Sequence, residues 1–142
     1  MNSTLLQESL KPLMARGAEL ADRFYEHLFG AYPELQRLFA GTDMDMQGQR
    51  LLQALALVAK GSKRPKALAR ALDPLARRHV FYGIEPEHYP LFCRALLEAM
   101  GRVGGSDWSE AAAGCWAEAL EWISEQMIAT YRQAASPGIR AS

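Results

Sequence analysis

Apolar side chains recur every three or four positions along almost the whole chain, and no segment alternates over the length of a strand. That period marks helices that each bury one face. Leu6, Leu10, Leu13 and Met14 form a first stripe, with Thr4-x-x-Gln7 placed to open it as a capping box and Gly17 interrupting it. Leu20, Phe24, Leu28 and Phe29 form a second, with Tyr25 at its margin. Gly30 and Pro33 bracket a turn, and Pro33 starts a short helix that ends near Phe39. Residues 40–46 read as a polar connection. Gln47 then begins a strongly patterned helix whose Leu51, Leu55, Val58 and Ala59 share a face, and residues 61–65 break it.

The second half is punctuated more heavily. Residues 67–72 read as a short helical piece, and Asp73-Pro74 as an N-cap with proline in the first turn of the next helix. That helix ends at or just beyond His79. Gly83 turns the chain and Pro86 restarts a helix carrying Tyr89, Phe92, Cys93, Leu96, Leu97 and Met100 at i, i+3, i+4, i+7 spacing. Residues 101–105 end it, and Ser106 is placed to cap a last helix with the stripe Trp116, Leu120, Ile123, Met127 and Tyr131. Ser136-Pro137-Gly138 leads into a flexible tail over 135–142. The pattern predicts one all-α domain over 1–142, its core at about 4–134, with seven or eight helices of unequal length. Short proline-started pieces between longer helices disfavour a uniform four-helix bundle.

Composition removes several function classes. The 142 residues suffice for one core, and the 16 basic and 16 acidic side chains balance. No global field draws the chain toward nucleic acid or anionic lipid. No apolar run approaches the ~20 residues of a membrane span, and Met1-Asn2-Ser3-Thr4 lacks the character of a secretory signal. The expectation is a soluble cytoplasmic protein without nucleic-acid or membrane partners, monomeric or weakly dimeric. Cys93 and Cys115 form no CxxC and read as small buried apolar residues.

Three histidines carry the candidate chemistry. His27 falls on a polar face and reads as solvated. Glu85-x-x-His88 has the spacing of a di-iron carboxylate motif, but the second pair and the further glutamates that such a site needs are missing. His79 follows Arg77-Arg78 at a helix end, behind Leu72 and Leu75. From spacing alone it is a structural helix-end histidine slightly more readily than a metal ligand. No HExxH, P-loop, GxGxxG or GxSxG occurs. Lys60, Lys63, Arg64, Lys66 and Arg70 cluster around one loop, by default as a solvated face.

Taken together, these segments resemble the globins, and most closely the bacterial single-domain globins related to the globin half of flavohaemoglobins (the Vitreoscilla-type family). Phe24-Tyr25-Glu26-His27-Leu28-Phe29 is similar to the family's second-helix motif, with Tyr25 at its distal tyrosine. The segment from Pro33 to Phe39 resembles the third helix and its haem-packing phenylalanine. Gln47-Gly48-Gln49-Arg50-Leu51 resembles the distal segment, and Arg77-Arg78-His79 through Tyr89 the proximal one. Gln47 rather than Gln49 takes the distal position, because the alternative register puts polar Gln53 where Leu51 would face the pocket. A buried amide without a partner costs about 1–3 kcal/mol.

The resemblance implies a 3-on-3 helical sandwich enclosing one haem b (iron protoporphyrin IX), with His79 as axial iron ligand and Tyr89 hydrogen-bonded to its imidazole. It implies Tyr25 and Gln47 as distal donors to a diatomic ligand, and Phe39, Leu51, Leu55 and Ile84 as apolar walls. Arg50 and Arg78 stand either as partners of the haem propionates or as solvated charges. One departure accompanies it: the flavohaemoglobin last-helix glutamate position holds Tyr131, and Glu121 and Glu125 lie on another face. A carboxylate pushing electron density through the imidazole is therefore not expected, nor is peroxidase-like chemistry. The implied function is reversible binding of O₂, with CO and NO, for oxygen transport or scavenging. Alternatives are a nitric oxide dioxygenase served by a separate reductase, and a haem-based sensor or interaction module.

Overall fold

The computed structural model describes residues 1–135, so the tail expected over 135–142 falls, beyond its first residue, outside the described part. The described residues form six α-helices joined in part by 3-10 segments, and contain no strand. In chain order the helices are α1 (Ser3–Met14), α2 (Gly17–Ala31), α3 (Met44–Gly61), α4 (Pro65–Phe81), α5 (Tyr89–Gly104) and α6 (Glu110–Ala134). The 3-10 segments are Pro33–Phe39, Pro86–His88 and Gly105–Asp107. Helices α1, α3 and α4 form one layer and α2, α5 and α6 the other, with the main pairings α2 on α5, α4 on α6 and α1 on α3. The all-α, three-on-three globin sandwich expected from the sequence is the fold observed.

Several boundaries differ from the periodicity, for local reasons. Asn2, not Thr4, caps α1: its side chain accepts the Leu5 N–H at 3.0 Å, while Gln7 instead reaches the Ser3 hydroxyl. Helix α3 starts at Met44 rather than Gln47, because the Asp43 carboxylate takes the Asp45 and Met46 N–H groups. The break expected at Asp73-Pro74 is absent. α4 runs through Pro74 as one helix, its buried Leu68, Leu72 and Ala76 keeping both halves on the same core face. Asp73 pairs with Arg77 one turn on, at 2.7 Å, instead of capping. Helix α4 also passes His79 and ends at Phe81. Pro86 opens a single 3-10 turn, with α5 proper beginning at Tyr89. Ser109 rather than Ser106 caps α6, accepting the Ala112 N–H at 3.0 Å. Gly30 is helical, inside the last turn of α2.

The core is anchored by Trp116, which is wholly buried and donates its indole N–H to Ser9 at 2.9 Å, tying α6 to α1. Ser3 in turn donates to the Ala59 carbonyl, tying α1 to α3. Both cysteines are free and half-buried rather than buried. The Ser124 hydroxyl donates to the Leu120 carbonyl, so the Cys93 thiol 3.2 Å away is the donor in their contact. No helix of the described residues is long and apolar enough to cross a membrane.

Buried apolar residues fall into two groups rather than one. The larger draws on all six helices and includes Tyr25, Leu55, Leu72 and Trp116; the smaller comprises Ala76, Ile84, Tyr89 and Met127. Half-buried Leu38, Leu75, Phe92 and Ile123 touch both.

Candidate functional site

One wall of the site is built where α2 meets α3. Tyr25 sits in the middle of α2 and is only 8% exposed. Its ring packs among Phe24, Phe29 and Phe39, with centroids 4.7, 6.0 and 5.6 Å away. Burial pushes the Tyr25 phenol up to about 12, and the nearby Gln47 side chain, as a hydrogen-bonding neighbour, opposes the rise only in part. At neutral pH the phenol is protonated with or without this shift, and it is a donor.

The two side chains meet because the helices can approach closely. A Cβ added at Gly48 would stand 3.0 Å from the Ala21 methyl, and one at Gly17 would stand 2.7 Å from Leu52. Ala21 lies one turn before Tyr25 and Gly48 directly follows Gln47, so this contact brings the amide to the phenol. The Asp43 cap completes the arrangement by placing Gln47 beyond the first turn of α3. Gln49 and Arg50 are exposed, whereas Leu51 is half-buried and Leu55 buried.

The second wall comes from α4 and α5. The His79 Nδ1 lies 2.8 Å from the Leu75 carbonyl, one turn earlier. A carbonyl only accepts, so Nδ1 carries the proton and Nε2 keeps its lone pair. Burial lowers the His79 pKa, with the Leu75 bond opposing and the Arg78 charge adding to the fall. The result is a neutral imidazole with one fixed tautomer. Gly83 then reverses the chain at φ +90°, a conformation that glycine adopts without Cβ strain, and the Ile84 N–H returns to the His79 carbonyl at 3.0 Å.

Tyr89 does not make the hydrogen bond expected of it. Its ring stacks near the imidazole, with centroids 6.5 Å apart and planes 23° apart. The Nδ1 proton is already used by the nearer carbonyl on its own helix. The Tyr89 hydroxyl is buried and has no hydrogen-bond partner among the described residues, and burial raises its pKa to about 12. An orphaned buried hydroxyl costs about 1–3 kcal/mol.

The remaining candidates sort clearly. Phe39 is half-buried, facing both Tyr25 and Phe29, and Ile84 is buried beside Tyr89. Arg50 and Arg78 are exposed, as are His27, Glu121 and Glu125. His88 is buried and structural: its Nδ1 accepts the Glu85 N–H at 2.9 Å, while the Glu85 carboxylate bonds back to the His88 N–H. Sequence reasoning missed the Gly48–Ala21 approach, the Leu75 acceptor and the His88 cap. Only the Leu75 acceptor left a sequence signal, a carbonyl four residues before a histidine near a helix end.

These features fit an iron porphyrin, a flat apolar plate with a Lewis-acidic centre and charged edges. The neutral Nε2 suits the metal, and the Tyr25–Gln47 pair suits a polar ligand. The globin family model matches residues 22–127. The chain belongs to the globin family. Family membership implies haem binding. A globin-like protein of Aquifex aeolicus is 32% identical over 124 residues, covering 87% of each chain. The flavohemoprotein of Rhodopirellula baltica is 34% identical over 139 residues, covering 92% of this globin but 34% of that protein. This globin thus spans about a third of the flavohemoproteins it matches. Among solved structures, a bacterial globin from Campylobacter jejuni superposes with TM-score 0.82 at 24% identity, covering 94% of this globin and 96% of that chain. An engineered carbene transferase made from a candidate nitric oxide dioxygenase of Rhodothermus marinus superposes with TM-score 0.85 at 26% identity, covering 99% and 96%.

Proposed function

We propose that this globin holds haem b through His79 and reversibly binds O₂, with CO and NO as further ligands, beside Tyr25 and Gln47. The observation that carries this reading is the pairing of a tautomer-fixed neutral imidazole with a buried, still-protonated phenol on a separate wall. The bound haem supplies a ferrous centre able to take a diatomic ligand. Leu75 fixes which imidazole nitrogen is available. Tyr25 and Gln47 present an O–H and an N–H that favour a ligand drawing negative charge, as O₂ does, over the less polar CO. Phe39, Leu51, Leu55 and Ile84 exclude water, and Arg50 and Arg78 are the exposed charges available to the propionates. The Tyr89 ring orients the imidazole by packing.

The test is an absorption spectrum of the purified protein, ferric, then dithionite-reduced, then under CO. A Soret band that shifts with CO, and that is lost in His79→Ala until imidazole is added, is the expected outcome. No Soret band after haemin is offered would overturn the reading.

The flavohemoprotein relatives and the Rhodothermus structure support a second reading, nitric oxide dioxygenation with electrons from a reductase. Sustained consumption of NO under O₂ with NADH and a flavin reductase would favour it. Arrest after one equivalent would leave oxygen binding or scavenging.

A further inference from the structure

The chain is neutral as a whole, yet residues 60–78 hold seven of its 16 basic side chains and one of its 16 acidic ones. That segment carries +6 and leaves −6 on the rest of the sequence. All seven basic residues are exposed. The charges are also aligned. Lys66, Arg70, Arg77 and Phe81 follow one another at spacings of four, seven and four along α4, so they share one solvent-facing stripe about 22 Å long, on which Asp73 pairs with Arg77 and leaves Lys66 and Arg70 as its free cations. Helix α4 buries its other face through Leu68, Leu72 and Ala76.

The stripe ends in an unusual pair. Phe81 is 86% exposed and Tyr82 53% exposed, and their rings meet edge to face at 5.9 Å. Neither belongs to the buried core or to the half-buried residues packed against it. Large exposed aromatics beside ordered cations are the composition of a protein-binding hot spot.

We infer that this basic stripe with its aromatic end is the docking surface for a protein with an acidic face, and that Phe81 and Tyr82 are its desolvated anchor. Charge complementarity selects that partner. A compact protein can set one acidic face on the stripe while the −6 remainder turns it away from every other approach. A nucleic acid would need a longer basic track than this one helix face, and the rest of the sequence carries −6. A membrane would find only two apolar side chains to bury, because the apolar face of α4 is already in the core. The stripe lies on the helix that carries His79, and Phe81 is two residues beyond it in the chain. That place suits a one-electron donor. The donor role rests on the proposed function, whereas the docking surface does not.

The test uses flavodoxin, an acidic one-electron carrier, immobilised and titrated with the purified protein at about 20 mM and about 200 mM NaCl. The expected result is micromolar binding that weakens roughly tenfold with salt. The K66E/R70E double variant should weaken it roughly tenfold further at low salt, and Phe81→Ser about fivefold at both salt concentrations. A control pair with the same charge change elsewhere, K11E/R94E, should stay within about twofold. Circular dichroism checks that each variant is folded. No binding, equal loss in the control pair, or tighter binding to duplex DNA or to phosphatidylglycerol vesicles than to flavodoxin would each overturn the assignment. Binding is read with and without haemin, so failure of the haem reading appears in the Soret band and failure of the docking surface in the titration.

Discussion

Replacing Tyr25 by phenylalanine isolates one atom of the site. The ring contacts to Phe24, Phe29 and Phe39 at 4.7–6.0 Å are kept, so the packing of α2 against the first 3-10 segment is unchanged. What is lost is an O–H that burial holds in its protonated form up to about pH 12 and that is bonded to Gln47. In the unliganded protein the loss is small. Gln47 is half-buried, so water replaces the phenol, and the cost is about 0.5–1 kcal/mol. For a domain of this size that lowers Tm by about 2–5 °C. With O₂ bound, the same hydroxyl is a donor in a site from which water is excluded, and its removal costs about 1–2 kcal/mol of ligand stabilisation. Dissociation should therefore accelerate roughly five- to thirtyfold. The assay is stopped-flow displacement of O₂ by CO in wild type, Y25F, Gln47→Leu and the double variant, with CO dissociation measured in parallel. CO, which draws less charge from the donors, should dissociate within about threefold of wild type. The double variant should fall short of the sum of the singles, because the two groups share a hydrogen bond. An unchanged O₂ off-rate, or equal acceleration for both gases, would refute the donor assignment.

Other consequences are read from the same geometry. Gly48→Val pushes α3 off Ala21 and should cost about 1–3 kcal/mol of overpacking, together with the loss of a Tyr25–Gln47 coupling in the double-mutant cycle; a stable variant with intact coupling would refute the close-approach argument. Tyrosinate absorbance in the folded protein should show Tyr25 and Tyr89 silent until near pH 12. The native phenol ionises at about 12 and the unfolded one at 10.0, so Tyr25 stability is full below pH 10 and declines by about 3 kcal/mol as pH rises through about 12. A denaturant series in pH that is flat across this window would count against burial of the hydroxyl. Ser109→Ala removes the α6 cap and should lower stability by about 1 kcal/mol, whereas Ser106→Ala should leave the melting temperature unchanged.

Much of the fold was written locally. The 3.6-residue stripes identify the long helices, Pro33 opens its 3-10 segment, and α3 ends at Gly61 where the composition puts a break, although Pro65, read as part of that break, instead opens α4 two residues before the expected start at residue 67. These features depend on side-chain period and backbone preference, which act within a few residues. The failures share one cause. Thr4, Gln47, Asp73 and Ser106 were each offered as a helix start by chemistry that a neighbour performed better, or that packing overruled. A cap competes with the next polar side chain along, and Pro74 costs less than withdrawing Leu68 and Leu72 from the core.

The site divides along the same line. Which groups could act is legible along the chain: one histidine near a helix end, a phenol among aromatics, and an amide one turn before a leucine. Their surroundings follow from how the helices pack. The Leu75 carbonyl chose the tautomer of His79 over the Tyr89 hydroxyl because it lies one turn away on the same helix. Gly48 against Ala21 brought Gln47 to Tyr25, and burial raised the pKa of that phenol to about 12. The basic stripe needed both. Its charges are countable in the sequence, but that they lie on one exposed face, ending in two rings the core did not take, follows from which side of α4 was buried.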